Sequence, residues 1–311
     1  MTSIPEATPL EYESAQPPAA PKKKAKMEES LVRLNGKKLR AGTIPWRFVS
    51  DTEIEIFLIE GLNTPGFWSF PAGSLDPGEE VSCCASRETY EECGAIGSLG
   101  CFLGVFLEEK NRTYLFSMQV HRVENEGADI WNDLHSSCEG SGERRRKWFT
   151  PASARSVLKK IGPAMLDTFL TVPAHQLMQR MPKRLRRSQL PIFIVGATDA
   201  LLQHCMQQGE ILDGTVALQS SDYTERQKFA IIAATLWEAD AAICIGGPEI
   251  SYVAALACTS GCPTLLLQTS EAMPWLLQGD SRVTRHFVGE GLMDAQRQID
   301  IFLEKVRSSD T

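Results

Sequence analysis

No stretch of 18 consecutive apolar residues occurs in these 311 residues, which excludes a helix able to span a bilayer. A net positive charge is also missing: the formal balance is −7, which argues against whole-surface binding of nucleic acid and leaves room only for a local basic groove. No CxxC pair is found among the nine cysteines, an odd and scattered set in which Cys83 and Cys84 are adjacent and Cys258 and Cys262 lie four apart. With no signal peptide either, reduced thiols in an intracellular compartment, cytoplasmic or nuclear, are the expectation, and a zinc site is not. What remains is 43% hydrophobic and 23% charged, an ordinary composition for a chain long enough for two domains.

Residues 1–30 are rich in Pro, Ala, Ser and Glu without hydrophobic periodicity, and are expected to form a disordered tail. Within it Lys22-Lys23-Lys24-Ala25-Lys26 leaves two readings open, a nuclear address and a solvated charge run. From Leu39 the pattern turns strand-like: Ala41–Val49, Glu53–Ile59, Cys101–Glu108, Thr113–Val123 and a short Arg146–Phe149, with helices at 79–93 and 153–170, the latter broken at Gly162-Pro163. This predicts an αβα sandwich over 31–171. Residues 172–190, with the run Lys183-Arg184-Leu185-Arg186-Arg187, read as a basic linker. Over 191–311 short apolar runs at Ile192–Val195, Thr215–Leu218, Ala241–Ile245, Thr264–Leu267 and Arg285–Val288 alternate with helical segments at 225–238, 249–259 and 292–307. That rhythm predicts an α/β fold with a small doubly wound parallel sheet, Rossmann-like or flavodoxin-like.

The chemistry concentrates in Gly73–Ala95. Glu88, Glu91 and Glu92 stand at i, i+3 and i+4 of a predicted helix, so they share one face, where they repel one another. A hard divalent cation gives such a face a purpose: Mg²⁺, with Mn²⁺ as a substitute, takes one or two carboxylates plus substrate phosphates. The third carboxylate is then free to accept a proton from an attacking water. The alternative for the helix alone is a solvated face on which Arg87 pairs with Glu91.

The wider spacing decides between them. Gly73, Glu79, Arg87, Glu88, Glu91, Glu92 and Gly94 match G-x5-E-x7-R-E-U-x-E-E-x-G-U, a coincidence expected on the order of once in 10⁸ windows for residues at about 7% each. The segment resembles the signature of the Nudix hydrolases, with Thr89 and Ala95 where bulkier aliphatics are usual. Within that family, residues of about 37–170 are most similar to the diphosphoinositol polyphosphate phosphohydrolases, which also cleave diadenosine polyphosphates. Lys37-Lys38-Leu39-Arg40-Ala41-Gly42, Trp68 with Pro71, Leu103-Gly104-Val105-Phe106, Arg112-Thr113-Tyr114, Trp131-Asn132-Asp133 and Arg144 to Phe149 carry the likeness. The resemblance implies that Glu88, Glu92 and the Ala72 carbonyl bind the metal, Glu91 is the general base and Arg87 orients the glutamates. It also implies that Gly73 and Gly94 permit the turns, and that Lys38, Arg40, Lys110 and Arg144 hold a polyphosphate.

Three departures leave the substrate open. Ala72-Gly73-Ser74 replaces a triple glycine, Gly61-Leu62-Asn63 replaces a polar contact loop, and Gly162 stands in place of a lysine. A phosphorylated small molecule is the expected partner, with triphosphate-ended or capped RNA, or an RNA-binding scaffold of little turnover, as alternatives. The C-terminal part weakly resembles nucleoside 2-deoxyribosyltransferase-like domains, through Ile192-Phe193-Ile194-Val195-Gly196 and Gly246-Gly247-Pro248-Glu249. Glu249 then has three readings: a helix cap that complements the dipole, part of a nucleotide site, or a nucleophile. This part is also where an oligomer contact is expected.

Overall fold

A computed structural model describes residues 31–62, 64–132, 142–177, 191–246, 251–268, 283–287 and 292–308. The expected tail, the basic run 183–187 and Glu249 lie outside the described residues.

The first sheet has nine strands: β1 Arg33–Leu34, β2 Lys37–Phe48, β3 Ile54–Gly61, β4 Thr64–Ser69, β5 Ala72–Ser74, β6 Ala95–Leu107, β7 Asn111–Val123, β8 Ile130–Asn132 and β9 Glu143–Phe149. Its main path runs β6-β7-β2-β3-β9-β8, with β2 and β7 parallel at its centre and β5 paired antiparallel to β2. Strand β2 shows why two layers of helix are needed, since alternate residues point to opposite faces. Ile44 and Trp46 enter one core with Leu58, Leu103, Leu166 and Phe169, under helices α2 Pro151–Val157 and α3 Gly162–Thr171. Leu39 and Ala41 enter the other with Leu75, Val81 and Ala85, under helix α1 Val81–Cys93. The expected linker begins inside the first of these cores: Val172 and Leu177 are buried there, Leu177 at the end of the short helix α4 Ala174–Leu177, whose carbonyl accepts a hydrogen bond from Ser117 Oγ at 2.8 Å.

The second sheet is wholly parallel and ordered β11-β10-β12-β13-β14, from β10 Pro191–Val195, β11 Glu210–Asp213, β12 Ala241–Gly246, β13 Thr264–Gln268 and β14 Val283–Phe287. This is the doubly wound arrangement expected, with a first strand flanked by the second and third. Ile192 and Ile194 face α5 Asp199–Met206 and α9 Leu292–Ser308, while Phe193 and Val195 face α7 Glu225–Glu238 and α8 Ser251–Thr259. One expected strand is wrong. Thr215–Leu218 lies in helix α6, Gly214–Gln219, and the strand is the preceding Glu210–Asp213. A four-residue apolar run has no resolvable period. Asp213 Oδ1 decides the matter by accepting the Thr215 amide at 2.8 Å and turning the chain out of the sheet.

Helix α7 belongs to both halves. Ile232 and Leu236 pack with Phe193, Val195, Ala242 and Val253 in the second core, whereas Ala230, Ile231, Ala234 and Trp237 pack with Leu39, Phe102, Tyr114 and Phe116 in the first. A helix apolar all round is a buried helix. Here it is buried between two sheets, beside α1, and the two halves share a core through it.

Candidate active site

Helix α1 starts from Glu80, whose carboxylate caps the amides of Ser82 at 2.7 Å and Cys83 at 3.3 Å, and stops at Gly94, where φ is 65°. A side chain at Gly94 would stand 2.8 Å from the Trp131 ring, so the left-handed stop also lets Trp131 close over the helix end. Trp131 Nε1 donates to the Glu91 carbonyl at 2.8 Å, and buried Arg146 donates to carbonyls beyond it, including that of Asn125 at 2.9 Å. Thr89, at one of the two unusual positions, is wholly buried, and its hydroxyl meets that of Thr43 on β2 at 2.7 Å. A hydrogen bond thus replaces the expected aliphatic anchor.

With both ends fixed, Arg87 organises the carboxylates. Its guanidinium grips Glu79 with two bonds of 2.7 Å, and reaches Glu88 at 2.8 Å, Glu91 at 3.0 Å and the Ser74 carbonyl at 3.0 Å. Burial opposes its charge, yet Glu79 and Glu88 hold that charge more firmly than in water. The Glu88 carboxylate lies against Gly73, where an added Cβ would sit 1.9 Å from it. Gly73 is therefore required for close approach. Glu92 accepts the Ala72 amide at 2.8 Å and pairs with Arg144 at 3.1 Å. Burial pushes Glu88 up, and pushes Glu92 up to about 7 against the pull of Arg144, with Glu88 adding to the push. Two crowded, dehydrated carboxylates are a donor set that gains from a hard cation.

Among the described residues no three His, Cys, Asp or Glu side chains stand ready to hold a metal unaided. Glu88, Glu92 and the Ala72 carbonyl are the oxygen donors that could hold a hard cation, with further oxygens needed to complete its shell. Arginines already meet two of these groups: Arg40 donates to the Ala72 carbonyl, and Arg144 to Glu92. Two of the expected substrate contacts, Arg40 and Arg144, therefore touch the expected metal ligands. Lys38 is also beside them, its ammonium held below the usual lysine range by burial and by Arg40, with Glu88 pulling the other way. Lys110 is exposed on the turn between β6 and β7, and its carbonyl accepts the Lys38 amide at 2.9 Å. On β9, alternation turns Arg144 and Arg146 inward and leaves Arg145 and Lys147 exposed, so the basic run supplies one pocket residue and one structural one.

Sequence reasoning missed the support behind α1. Trp237 Nε1, on α7, donates to Glu80 Oε1 at 2.5 Å, and no spacing rule joins residues 157 apart. Nor did it find Glu238, which is 5% exposed and receives Arg112 Nε at 2.8 Å, a second Arg112 bond and the Tyr114 hydroxyl.

A family model described as the NUDIX domain matches residues 41–169. Diphosphoinositol polyphosphate phosphohydrolase 3-alpha of Mus musculus is 37% identical over 127 residues, 40% of this chain and 71% of that protein. Diphosphoinositol polyphosphate phosphohydrolase 2 of Homo sapiens is 34% identical over 126 residues, 40% of this chain and 64% of that protein. A C. elegans Ap4A hydrolase binary complex aligns with a TM-score of 0.34 at 21% identity, covering 42% of this chain and 96% of that one. An identity of 37% sustained over 71% of a relative reaches well beyond the 23 residues of the box, and on that ground this chain belongs to the Nudix hydrolases and is related to the diphosphoinositol polyphosphate phosphohydrolases.

Proposed function

We propose that this pyrophosphohydrolase cleaves a phosphoanhydride in a highly phosphorylated small molecule, a diphosphoinositol polyphosphate or a diadenosine polyphosphate, and does so with Mg²⁺. The observation that carries the reading is one connected cluster, in which Arg87 joins Glu88 and Glu91, Arg144 meets Glu92, and Arg40 meets the Ala72 carbonyl beside Glu92.

Glu88, Glu92 and the Ala72 carbonyl would hold the cation, which when bound polarises the phosphoryl oxygens and acidifies a water. Glu91, 7% exposed and held by Arg87, accepts the proton of the attacking water at its carboxylate. Arg40 on β2 and Arg144 on β9 reach the Ala72 carbonyl and Glu92, and their forked donors match phosphate oxygens. Lys38 and Lys110, joined through their backbones where β2 meets the β6–β7 turn, add positive charge there, suiting a substrate with more phosphates than the two that react.

Phosphate release by the full chain with Mg²⁺ tests this across diphosphoinositol polyphosphate, diadenosine polyphosphates and triphosphate-ended or capped RNA. Glu91→Gln should lower turnover by about 10²–10⁴-fold with binding retained. Unchanged turnover in that variant would sink the assignment of the base. Release from RNA ends alone would replace the small-molecule substrate.

A further inference from the structure

We infer that Trp237, on the helix shared by the two cores, is a positioning residue of the hydrolase site: through Glu80 it fixes the start of α1 and hence the direction in which Glu88, Glu91 and Glu92 point. Three observations carry this. Glutamate is a poor choice of N-cap, because its longer side chain has more rotamer freedom to lose than the usual Ser, Thr, Asp or Asn. It caps α1 here because a second anchor holds it: Oε2 takes the Ser82 and Cys83 amides while Oε1 takes Trp237 Nε1 at 2.5 Å. From the other side, an indole N–H on a residue 5% exposed needs an acceptor, and Glu80 is that acceptor.

The Trp237 ring cannot drift. It packs against Phe102 at 5.2 Å and edge-on to Phe116 at 4.9 Å, both in the first sheet, and the next residue is Glu238, bound by Arg112 and Tyr114 of β7. At the other end of α7 the Arg226 guanidinium lies against Gly78 in the loop that leads into α1, 3.0 Å from where a Cβ would be. The second half of the chain therefore touches the catalytic helix before its first turn, where helix direction is set. The carboxylates follow about two to three turns later, so a small tilt at Glu80 is carried to all three.

The kinetic part of this inference rests on the hydrolase reading, and the exchange part stands without it. Amide hydrogen exchange of Ser82, Cys83 and Cys84 is measured in the full chain for wild type, Trp237→Phe, Glu80→Ala and the double variant. Phe keeps an aromatic ring against Phe102 and Phe116 but removes the N–H together with part of the indole, a loss that Glu80→Ala does not share. Exchange at those three amides should rise roughly 10-fold in Trp237→Phe, with β10–β14 unchanged, and Trp237→Phe should add nothing in the Glu80→Ala background. On a phosphoanhydride substrate, kcat should fall by about 10-fold with KM steady, below the 10²-fold expected for a misplacement of about 1 Å. Glu80→Gln, which keeps an acceptor for the indole, should restore most of kcat relative to Glu80→Ala. Unchanged exchange at the three amides, an equal rise throughout the chain, or additive effects of the two substitutions would overturn the inference. Glu80→Ala leaves the aromatic cluster intact and decides the matter if Trp237→Phe does not fold. Absence of turnover in the wild type would refute the hydrolase reading and leave the exchange result to judge the link between Trp237 and α1.

Discussion

Glu238→Ala should destabilise the whole chain, the hydrolase half included, by about 3–5 kcal/mol. The side chain of Glu238 is 6% exposed and that of Arg112 17% exposed, and Tyr114 is fully buried. Removing the carboxylate strands a guanidinium and a phenol at once. An orphaned buried polar group costs about 1–3 kcal/mol and a charged one more, which is how the sum reaches that range. Burial and Glu238 hold the Tyr114 phenol well above its usual range, and Glu238 strengthens the Arg112 charge against burial. Urea unfolding followed by tryptophan fluorescence and by circular dichroism measures the loss, and the shared helix predicts one coincident transition for both probes. Because the pair is shielded from ions, the loss should persist in about 1 M salt. The triple change Arg112→Met, Tyr114→Phe and Glu238→Leu should recover most of it, since it leaves no unpaired group. A loss below about 1 kcal/mol, or two separated transitions in the wild type, would refute the idea that α7 joins the halves into one cooperative unit.

Two further outcomes follow from the site. Glu92 is held near 7 by burial against 4.5 unfolded, so the folded chain keeps a proton that the unfolded chain releases between those values. Its contribution to stability is full below 4.5 and is lost as pH rises through about 7, about 3 kcal/mol in all. In the metal-free chain Glu92→Gln, which stays neutral and still accepts the Ala72 amide, should raise Tm more at pH 8 than at pH 5; a gain equal at both would contradict the shift. Gly73→Ala puts a methyl 1.9 Å from the Glu88 carboxylate and should lower turnover by about 10²-fold, together with Mn²⁺ affinity read by spin resonance. Full activity in that variant would show that Glu88 is free to move.

What was legible in the sequence is what chemistry ties to spacing. Glu79, Arg87, Glu88, Glu91 and Glu92 fall on one helix and its approach, so their offsets alone place them together, and Arg87 does meet three of the box's carboxylates, Glu79, Glu88 and Glu91, besides the Ser74 carbonyl. Five of the nine strands of the first sheet were legible because alternation is strong where two cores compete for the same strand, as at Ile44 and Trp46 against Leu39 and Ala41, whereas Arg33–Leu34, Thr64–Ser69, Ala72–Ser74 and Ile130–Asn132 are too short to show it. Helix 225–238 was legible as a helix, though neither its capping box at Thr224 nor its role as a bridge was. Periodicity reports how many faces are apolar, never what each face meets. The bonds of Glu238 to Arg112 span 126 residues, and only the folded chain brings such partners together. Thr215–Leu218 failed for the opposite reason, since four residues are too few for any period to show.

The helix that both sheets share also sets a schedule. Synthesis proceeds from the N-terminus at roughly 5–20 residues per second, so the face made by Phe102, Tyr114 and Phe116 emerges well before its cover. The roughly 60 residues between Leu177 and Glu238 amount to a delay on the order of 3–12 seconds, during which the first sheet is complete except for its lid of side chains. In that interval the nascent protein presents the aromatic surface of Phe102, Tyr114 and Phe116 without the Trp237 ring that packs on it. A message truncated inside that window would yield a sticky polypeptide rather than a smaller enzyme.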